Sequence, residues 1–267
     1  MLKLIRCEFL KLKRKRFIQM TLAASLLFPI PLTALVYSIY KTQGRYATRA
    51  DAFDGLWQSV MGFGMLMLLP CILGIIAALL FFMERDHDTY KNLRTIPVTS
   101  TQMVIAKCLV LLMLSVLFCL ASTAATLLCG FAFLGVSDAV YKLLFSMLDG
   151  FLIALGALPL VLLIVFFSKS YVFSILLCVF YSVLNLMATF VLSNLPRFLV
   201  MILPTPSIML WSSYQLAGRM NIGDKADFQL FIDMGLIPST PELFIALGTI
   251  GALCVLLAIA LYKRRSA

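Results

Sequence analysis

Long hydrophobic runs alternate with short polar segments along the whole chain. Six runs stand out, at residues 17–40, 56–83, 103–135, 143–167, 171–192 and 243–262. Each has about 20 residues or more, which is the length that an α-helix needs to cross the ~30 Å hydrocarbon core of a bilayer. The pattern therefore predicts an all-α integral membrane protein in which residues 1–267 form a single transmembrane domain of six helices.

A basic segment, residues 1–16, precedes the first apolar run. Its apolar side chains recur at helical spacing among lysines and arginines: Leu2, Ile5, Phe9 and Leu12. This pattern is typical of an amphipathic helix that lies in the cytoplasmic membrane interface, with its charges toward anionic head groups. The alternative is an unstructured basic segment that only sets the orientation of the first span.

A second short apolar segment, residues 198–206, lies between the fifth and sixth runs. Only six of its residues precede its first proline, Pro204, so the segment is too short to cross a membrane. We expect it to be re-entrant or interfacial on the outer side. Trp211 and Tyr214 follow it, and both are residue types that favour the membrane interface, so we expect them in an outer interfacial belt.

The charges are few and unevenly placed. Of the residues, 62% are hydrophobic and 13% charged, against about a quarter charged in soluble proteins. Fifteen of the 22 lysines and arginines lie at the two termini, in the loop after the second run and its flank at Lys107, and in the turn after the fourth run. The positive-inside rule then places both termini in the cytoplasm. Because the basic residues flank apolar runs and form no single face, they do not indicate nucleic-acid binding.

Common catalytic motifs are absent from the sequence. The chain has no G-x-x-x-x-G-K-[ST] nucleotide-binding loop and no G-x-S-x-G elbow, and its single histidine is His87. Seven cysteines include no C-x-x-C pair, and most lie inside apolar runs. We therefore expect no enzymatic activity, and neither a cofactor nor a metal bound by this chain.

Three polar residues inside the predicted spans are candidates for lining a transport pathway: Asp149, Ser182 and Asn185. Asp149 lies about six residues into the fourth run, where it is either a buried carboxylate or an interfacial one close to Lys142. Ser182 and Asn185 lie midway along the fifth run. Hydrogen bonding between helices is the alternative role for these two.

The densest patch of charge is the loop between the second and third runs, residues 84–97. Thr89, Leu93 and Ile96 recur at helical spacing, and Pro97 ends the pattern. A helix of about two turns is unstable alone in water, so an ordered helix here requires a partner surface. Thr99 and Gln102 then have the spacing of a capping box that begins the next helix.

This loop resembles the E…T-x-K-N-L-x-x-x-P…K pattern of ABC-2 type transporter permeases. The matching residues are Glu84, Thr89, Lys91-Asn92-Leu93, Pro97 and Lys107. The basic start, the six spans and the long segment between spans five and six extend the resemblance over essentially the full chain. The likeness is strongest to the permeases of lantibiotic-immunity and bacitracin-resistance exporters.

The resemblance implies a permease of the bacterial cell membrane whose loop is a cytoplasmic coupling helix, held by a separate ATPase subunit. The coupling residues it implies are Glu84, Thr89, Tyr90, Lys91, Leu93, Arg94, Ile96 and Pro97. Two ATPase copies would bind ATP and Mg, and a second permease, identical or homologous, would complete the assembly. The implied cargo is an amphipathic peptide antibiotic or its lipid complex. A lipid or polysaccharide exporter and a non-transporting membrane sensor are the alternatives.

Overall fold

The computed structural model describes residues 1–13, 15–44, 46–86, 99–167, 171–192, 195–217 and 228–266. Within these residues the secondary structure is helical, with no β-strand. Six helices are long and apolar enough to cross a membrane, and we call them spans one to six: Arg16–Thr42, Arg49–Met83, Ser100–Phe133, Ala139–Phe166, Tyr171–Phe190 and Thr240–Arg264. The prediction of six membrane-crossing helices is confirmed to this extent.

Four shorter helices complete the described chain. They are Leu2–Lys13 at the N-terminus, then Arg197–Ile202, Pro204–Leu216 and Gln229–Asp233 between spans five and six. The first packs against span three and buries Leu12, whereas Leu2 is exposed. A helix therefore forms where the sequence predicts one, and its location in a membrane interface stays a prediction.

Span one is interrupted near its middle. It consists of the helices Arg16–Leu27 and Pro29–Gln43, with a break at Phe28. Pro29 lacks the backbone N–H that would continue the hydrogen-bond ladder, and it takes the first position of the second helix, where that N–H is not needed. The prolines thus divide the span as their position in the sequence indicates.

Span two is one continuous helical rod with a wide turn inside it. An α-helix, Arg49–Ser59, continues as a π-helix, Val60–Leu68, and then as the α-helix Leu69–Asp86. The rod begins at Arg49 and not at Leu56, because a capping box starts it: Thr48 Oγ1 accepts from Asp51 N at 3.1 Å, and the Asp51 carboxylate accepts from Thr48 N at 2.8 Å.

Span three is a single α-helix of 34 residues, Ser100–Phe133. The predicted capping box is present at its start, where Thr99 Oγ1 accepts from Gln102 N at 3.3 Å and Gln102 Oε1 accepts from Thr99 N at 3.2 Å. At about 1.5 Å per residue the helix is about 51 Å long, so it must tilt or extend beyond a ~30 Å hydrocarbon core.

Spans two, three and four form the centre of the bundle. In the most apolar 18-residue stretch of each span, 67% of the residues are buried in spans two and four, against 22% in spans one and five. Small residues allow spans three and four to approach closely. Ser115 Oγ donates to Gly150 O at 2.7 Å, and a Cβ added at Gly150 would lie 2.9 Å from Val116 Cα. This is the usual way in which membrane helices associate.

The described part of the segment between spans five and six contains three short helices. The helix Pro204–Leu216, which we call the connecting helix, packs against spans two, four, five and six. Trp211 on this helix is buried against the other helices, and its predicted place at the depth of the outer membrane interface stays a prediction. Its ring stacks on Phe145 with centroids 5.8 Å apart, and its Nε1 donates to Thr240 Oγ1 at 3.1 Å. The indole packs here because both its ring and its N–H find partners inside the bundle.

Candidate functional site

A cavity of about 290 Å³ opens on the side of the bundle, between span two, the end of span five and the connecting helix. Its volume is close to the lower limit of about 300 Å³ for ligand pockets in proteins. The polar residues that line it come from four separate elements: Gln58, Ser59, Asp149, Thr189, Ser212 and Ser213. The π-helical part of span two forms one wall, and π-helical turns occur frequently at functional sites.

Asp149 is the only ionisable residue among those that line the cavity, and its side chain is fully buried. Ser212 Oγ donates a hydrogen bond to Asp149 Oδ1 at 3.0 Å. The other carboxylate oxygen, Oδ2, has no hydrogen-bond partner among the residues that the structure describes. A buried polar oxygen without a partner is costly, so this oxygen is a candidate acceptor for a ligand at the cavity.

The fully buried lysine of span four does not pair with Asp149. Lys142 Nζ lies 2.7 Å from Asp54 Oδ1, and it also donates to the carbonyl and hydroxyl oxygens of Ser137 at 2.7 and 2.8 Å. The rings of Phe53 and Trp57 lie 4.7 and 5.9 Å from Nζ. Asp149 is therefore buried within the protein and does not pair with Lys142, which is held by another carboxylate.

The ammonium group of this Lys142 cluster is satisfied within the protein. Ser137 Oγ donates to Asp54 Oδ1 at 2.5 Å, and the lysine donates all three of its hydrogen bonds to Asp54 and Ser137. The cluster ties the start of span two to the turn before span four. It therefore fastens two central helices, and its cation is fully engaged within the protein.

The other two predicted pathway residues lie apart from the cavity lining. Asn185 Nδ2 donates to Tyr181 O at 3.0 Å, and its Oδ1 accepts from Thr205 N at 3.4 Å, in the first turn of the connecting helix. Ser182 is buried on the same face of span five. The first backbone N–H groups of a helix lack partners within that helix, so Asn185 acts as a cap supplied by another span. Of the three predicted residues, the structure brings Asp149 alone to the cavity.

The sequence did not single out the residues that surround Asp149. Ser212 is 63 positions away along the chain, and Gln58 and Ser59 belong to another span. The adjacent serines Ser212 and Ser213, inside a largely apolar segment, were the one available signal. Nothing local to these residues indicates that they meet a carboxylate from span four.

A comparison with protein families decides the class of the chain. The family model described as ABC-2 family transporter protein matches residues 4–185, which include spans one to four and most of span five. The chain belongs to this ABC-2 family. It is therefore a multi-pass membrane protein of the cell membrane and fits the permease of an ABC transporter that works with an ATPase partner. A search of curated proteins gave no match.

The predicted coupling residues of the permease fall mainly outside the described part. Glu84 lies in the last turn of the helix Leu69–Asp86, whereas Thr89, Tyr90, Lys91, Leu93, Arg94, Ile96 and Pro97 lie outside the described residues. Lys107 of the family-like pattern is described and fully buried. Its Nζ donates to Leu80 O and lies 4.9 Å from the centre of the Phe81 ring, so it joins span three to the last turns of span two.

Proposed function

We propose that this ABC-2 permease is the membrane subunit of an ATP-driven exporter that removes an amphipathic peptide antibiotic, of lantibiotic or bacitracin type, or its lipid complex. The observation that carries the proposal is the cavity, which combines an apolar wall with a buried carboxylate and opens on the side of the bundle. An amphipathic molecule presents the same two kinds of surface. A cavity that opens sideways is accessible to cargo that is dissolved in the membrane.

The orientation that the basic residues predict places this cavity in the outer half of the bundle. Span two begins at Arg49 and lines the cavity near its start, whereas its other end leads into the loop at residues 84–97. With both termini and this loop in the cytoplasm, Gln58, Ser59 and Asp149 belong to the outer leaflet side. Peptide antibiotics reach a cell from that side.

The loop between spans two and three is proposed to dock on the ATPase subunit. Tyr90, Leu93 and Ile96 suit burial in a cleft of the partner, and Lys91 and Arg94 suit ion pairs at its rim. Two ATPase copies, which would hold ATP and Mg, would move two permeases as rigid bodies. The contacts of Lys107 support this, since they fasten span three to the end of span two beside the loop.

Co-expression of the permease with its ATPase subunit tests the coupling role. The double variant Leu93→Asp, Tyr90→Ala should no longer co-purify with the ATPase and should lose resistance to the peptide antibiotic. Leu230→Asp is the matched control, because Leu230 is exposed on a short helix between spans five and six. If the double variant assembles and confers resistance as the unmodified protein does, the coupling role is wrong.

A lipid is the second candidate cargo, since the exposed side chains at the cavity, Phe63 and Phe190, are apolar. Cells that lack the permease distinguish the two functions. Loss of resistance to peptides with unchanged lipid distribution supports the peptide, whereas a changed lipid distribution with unchanged resistance supports the lipid.

A further inference from the structure

We infer that the cavity binds the positively charged amine group of an amphipathic ligand, with the ammonium at Asp149 and the apolar part at the cavity mouth. The inference rests on the proposed function and deepens it, because it assigns the site and the charge of the cargo. The shared chemistry is a primary ammonium joined to an apolar body. A cationic peptide and a lipid with an amine head group both have it.

The first step of the argument is charge. Asp149 is fully buried and has one carboxylate oxygen without a partner, and no basic residue is among those that line the cavity. The buried lysine of the same span, Lys142, is held by Asp54 and Ser137. A buried carboxylate is stable only when it is paired or protonated, and a ligand with a positive charge supplies the pairing, whereas a neutral or negative ligand does not.

The second step is the supply of acceptors around the carboxylate. An ammonium group donates three hydrogen bonds. Ser212 Oγ donates its proton to Asp149, and Ser59 Oγ donates its proton to Gly55 O at 2.8 Å, so both hydroxyls keep lone pairs that can accept hydrogen bonds. With Asp149 Oδ2, the cavity lining therefore offers hydrogen-bond acceptors, which suit a cation better than an anion.

The third step is the shape of the cavity. Its apolar wall contains Phe63, Leu66, Leu186, Phe190 and Met209. Phe63 and Phe190 are 55% and 71% exposed and mark the mouth, whereas the fully buried Asp149 marks the closed end. A ligand that enters head first would therefore place its charge at the carboxylate and leave its apolar part in contact with the membrane.

Gly62 provides a variant that closes the cavity without disturbing the packing around it. It lies in the π-helical wall, and a Cβ built on it has no heavy atom within 4 Å. Gly248 of span six has equally open surroundings and does not line the cavity, so it is the matched control. Gly62→Leu fills the space that the ligand needs, and Gly248→Leu adds the same side chain elsewhere.

Photo-crosslinking tests the inference on the full-length permease in phosphatidylglycerol nanodiscs. The probe is a diazirine-bearing decylammonium, and its N-acetylated form and a decylsulfonate analogue are the matched neutral and anionic probes. We expect the ammonium probe to label residues 61–66, 186–190 and 209–216. Its apparent Kd should rise at least tenfold in Asp149→Asn, which keeps the acceptor for Ser212, while binding of the neutral probe should change little.

The variants separate a charge effect from a folding effect. Gly62→Leu should abolish labelling by the ammonium probe and Gly248→Leu should leave it unchanged, so the inference stays testable even if Asp149→Asn does not fold. Equal labelling by the three probes, or an unchanged Kd in Asp149→Asn together with unchanged labelling in Gly62→Leu, would overturn the inference.

Competition identifies the source of the amine. Displacement of the probe by a short lysine-containing amphipathic peptide, or by phosphatidylethanolamine added to the nanodiscs, supports the site and names its ligand, whereas displacement by neither overturns it. The ATPase is absent from this assay. If the ammonium probe does not bind, but the double variant Leu93→Asp, Tyr90→Ala still loses the ATPase and the resistance, the ligand site is rejected and the exporter function stands. If the probe binds as expected, but the double variant assembles and confers resistance normally, the proposed exporter function is rejected and the ligand site stands.

Discussion

Two carboxylates lie buried near the start of spans two and four, and their surroundings differ. Asp54 is paired with Lys142 and accepts a second hydrogen bond from Ser137, whereas Asp149 accepts one hydrogen bond from Ser212 and keeps an unpartnered oxygen. The first arrangement fastens helices, because the Lys142 ammonium donates three hydrogen bonds to Asp54 and Ser137. The second has no such cation, and we propose that a ligand supplies one.

Removal of the charge on Lys142 should destabilise the permease strongly. Lys142→Met leaves the Asp54 carboxylate buried without its cation, which typically costs about 3–5 kcal/mol. The double variant Asp54→Leu, Lys142→Met should recover most of this loss, because neither charge remains. The free energy of unfolding is measured by equilibrium denaturation of the purified protein in mixed micelles.

Lys41→Met is the control for this variant. Lys41 lies over the ring of Tyr37 at 4.8 Å and is exposed, so its replacement should change the free energy of unfolding by about 1 kcal/mol or less. If Lys142→Met and Lys41→Met change the free energy of unfolding equally, the buried ion pair of Lys142 and Asp54 makes no specific contribution to stability.

At the scale of single elements, the connecting helix depends on contacts at its first turn. A Cβ added at Gly156 of span four would lie 2.5 Å from Pro204 Cβ, and Asn185 Oδ1 accepts from the next residue, Thr205 N. Tyr181 OH also donates to Gly156 O at 2.8 Å. Spans four and five therefore hold the helix that supplies Ser212 to the cavity.

A methyl group at Gly156 should loosen this attachment. Gly156→Ala forces the rigid ring of Pro204 away, and overpacking of this kind typically costs about 1–3 kcal/mol. Gly248→Ala, with no heavy atom within 4 Å of its added Cβ, should be neutral or slightly stabilising. Thermal denaturation of both purified variants measures the difference, and equal melting temperatures would contradict the close approach.

Loss of the side-chain cap should be visible at the backbone of the connecting helix. Asn185→Ala removes the acceptor of the Thr205 N–H, and loss of a cap typically costs about 1 kcal/mol. Amide hydrogen exchange in the first turn of this helix should become about fivefold faster. Ser182→Ala, on the same face of span five, is the control and should leave that exchange rate unchanged.

At the scale of the whole molecule, the six candidate spans among the described residues predict that the two termini lie on one side of the membrane. The charge distribution predicts that this side is the cytoplasm. The exposed cysteine of the N-terminal helix, Cys7, tests this directly. A membrane-impermeant maleimide should label it only after the cells are permeabilised, whereas an introduced Gln229→Cys, between spans five and six, should be labelled in intact cells. The opposite labelling would invert the proposed topology.

Local sequence signals predicted the helices well and the site poorly. The six apolar runs and the capping box at Thr99 depend on neighbouring residues, so the sequence alone was sufficient for them. Asp54 with Lys142, and Asp149 with Ser212, are pairs separated by 88 and 63 positions, and only the packing of the helices brings them together. The burial of Trp211 shows the same limit, because its partners Phe145 and Thr240 are distant along the chain.

The π-helix Val60–Leu68 lies between the two ends of span two, which reach distant parts of the molecule. One continuous rod, from Arg49 to Asp86, forms part of the cavity near one end and enters the segment proposed to meet the ATPase at the other. The π-helix contains more residues per revolution than the α-helices on either side of it. Rewinding Val60–Leu68 into a regular α-helix would therefore swivel the 18 residues beyond it, about five revolutions of helix, around the axis of the rod.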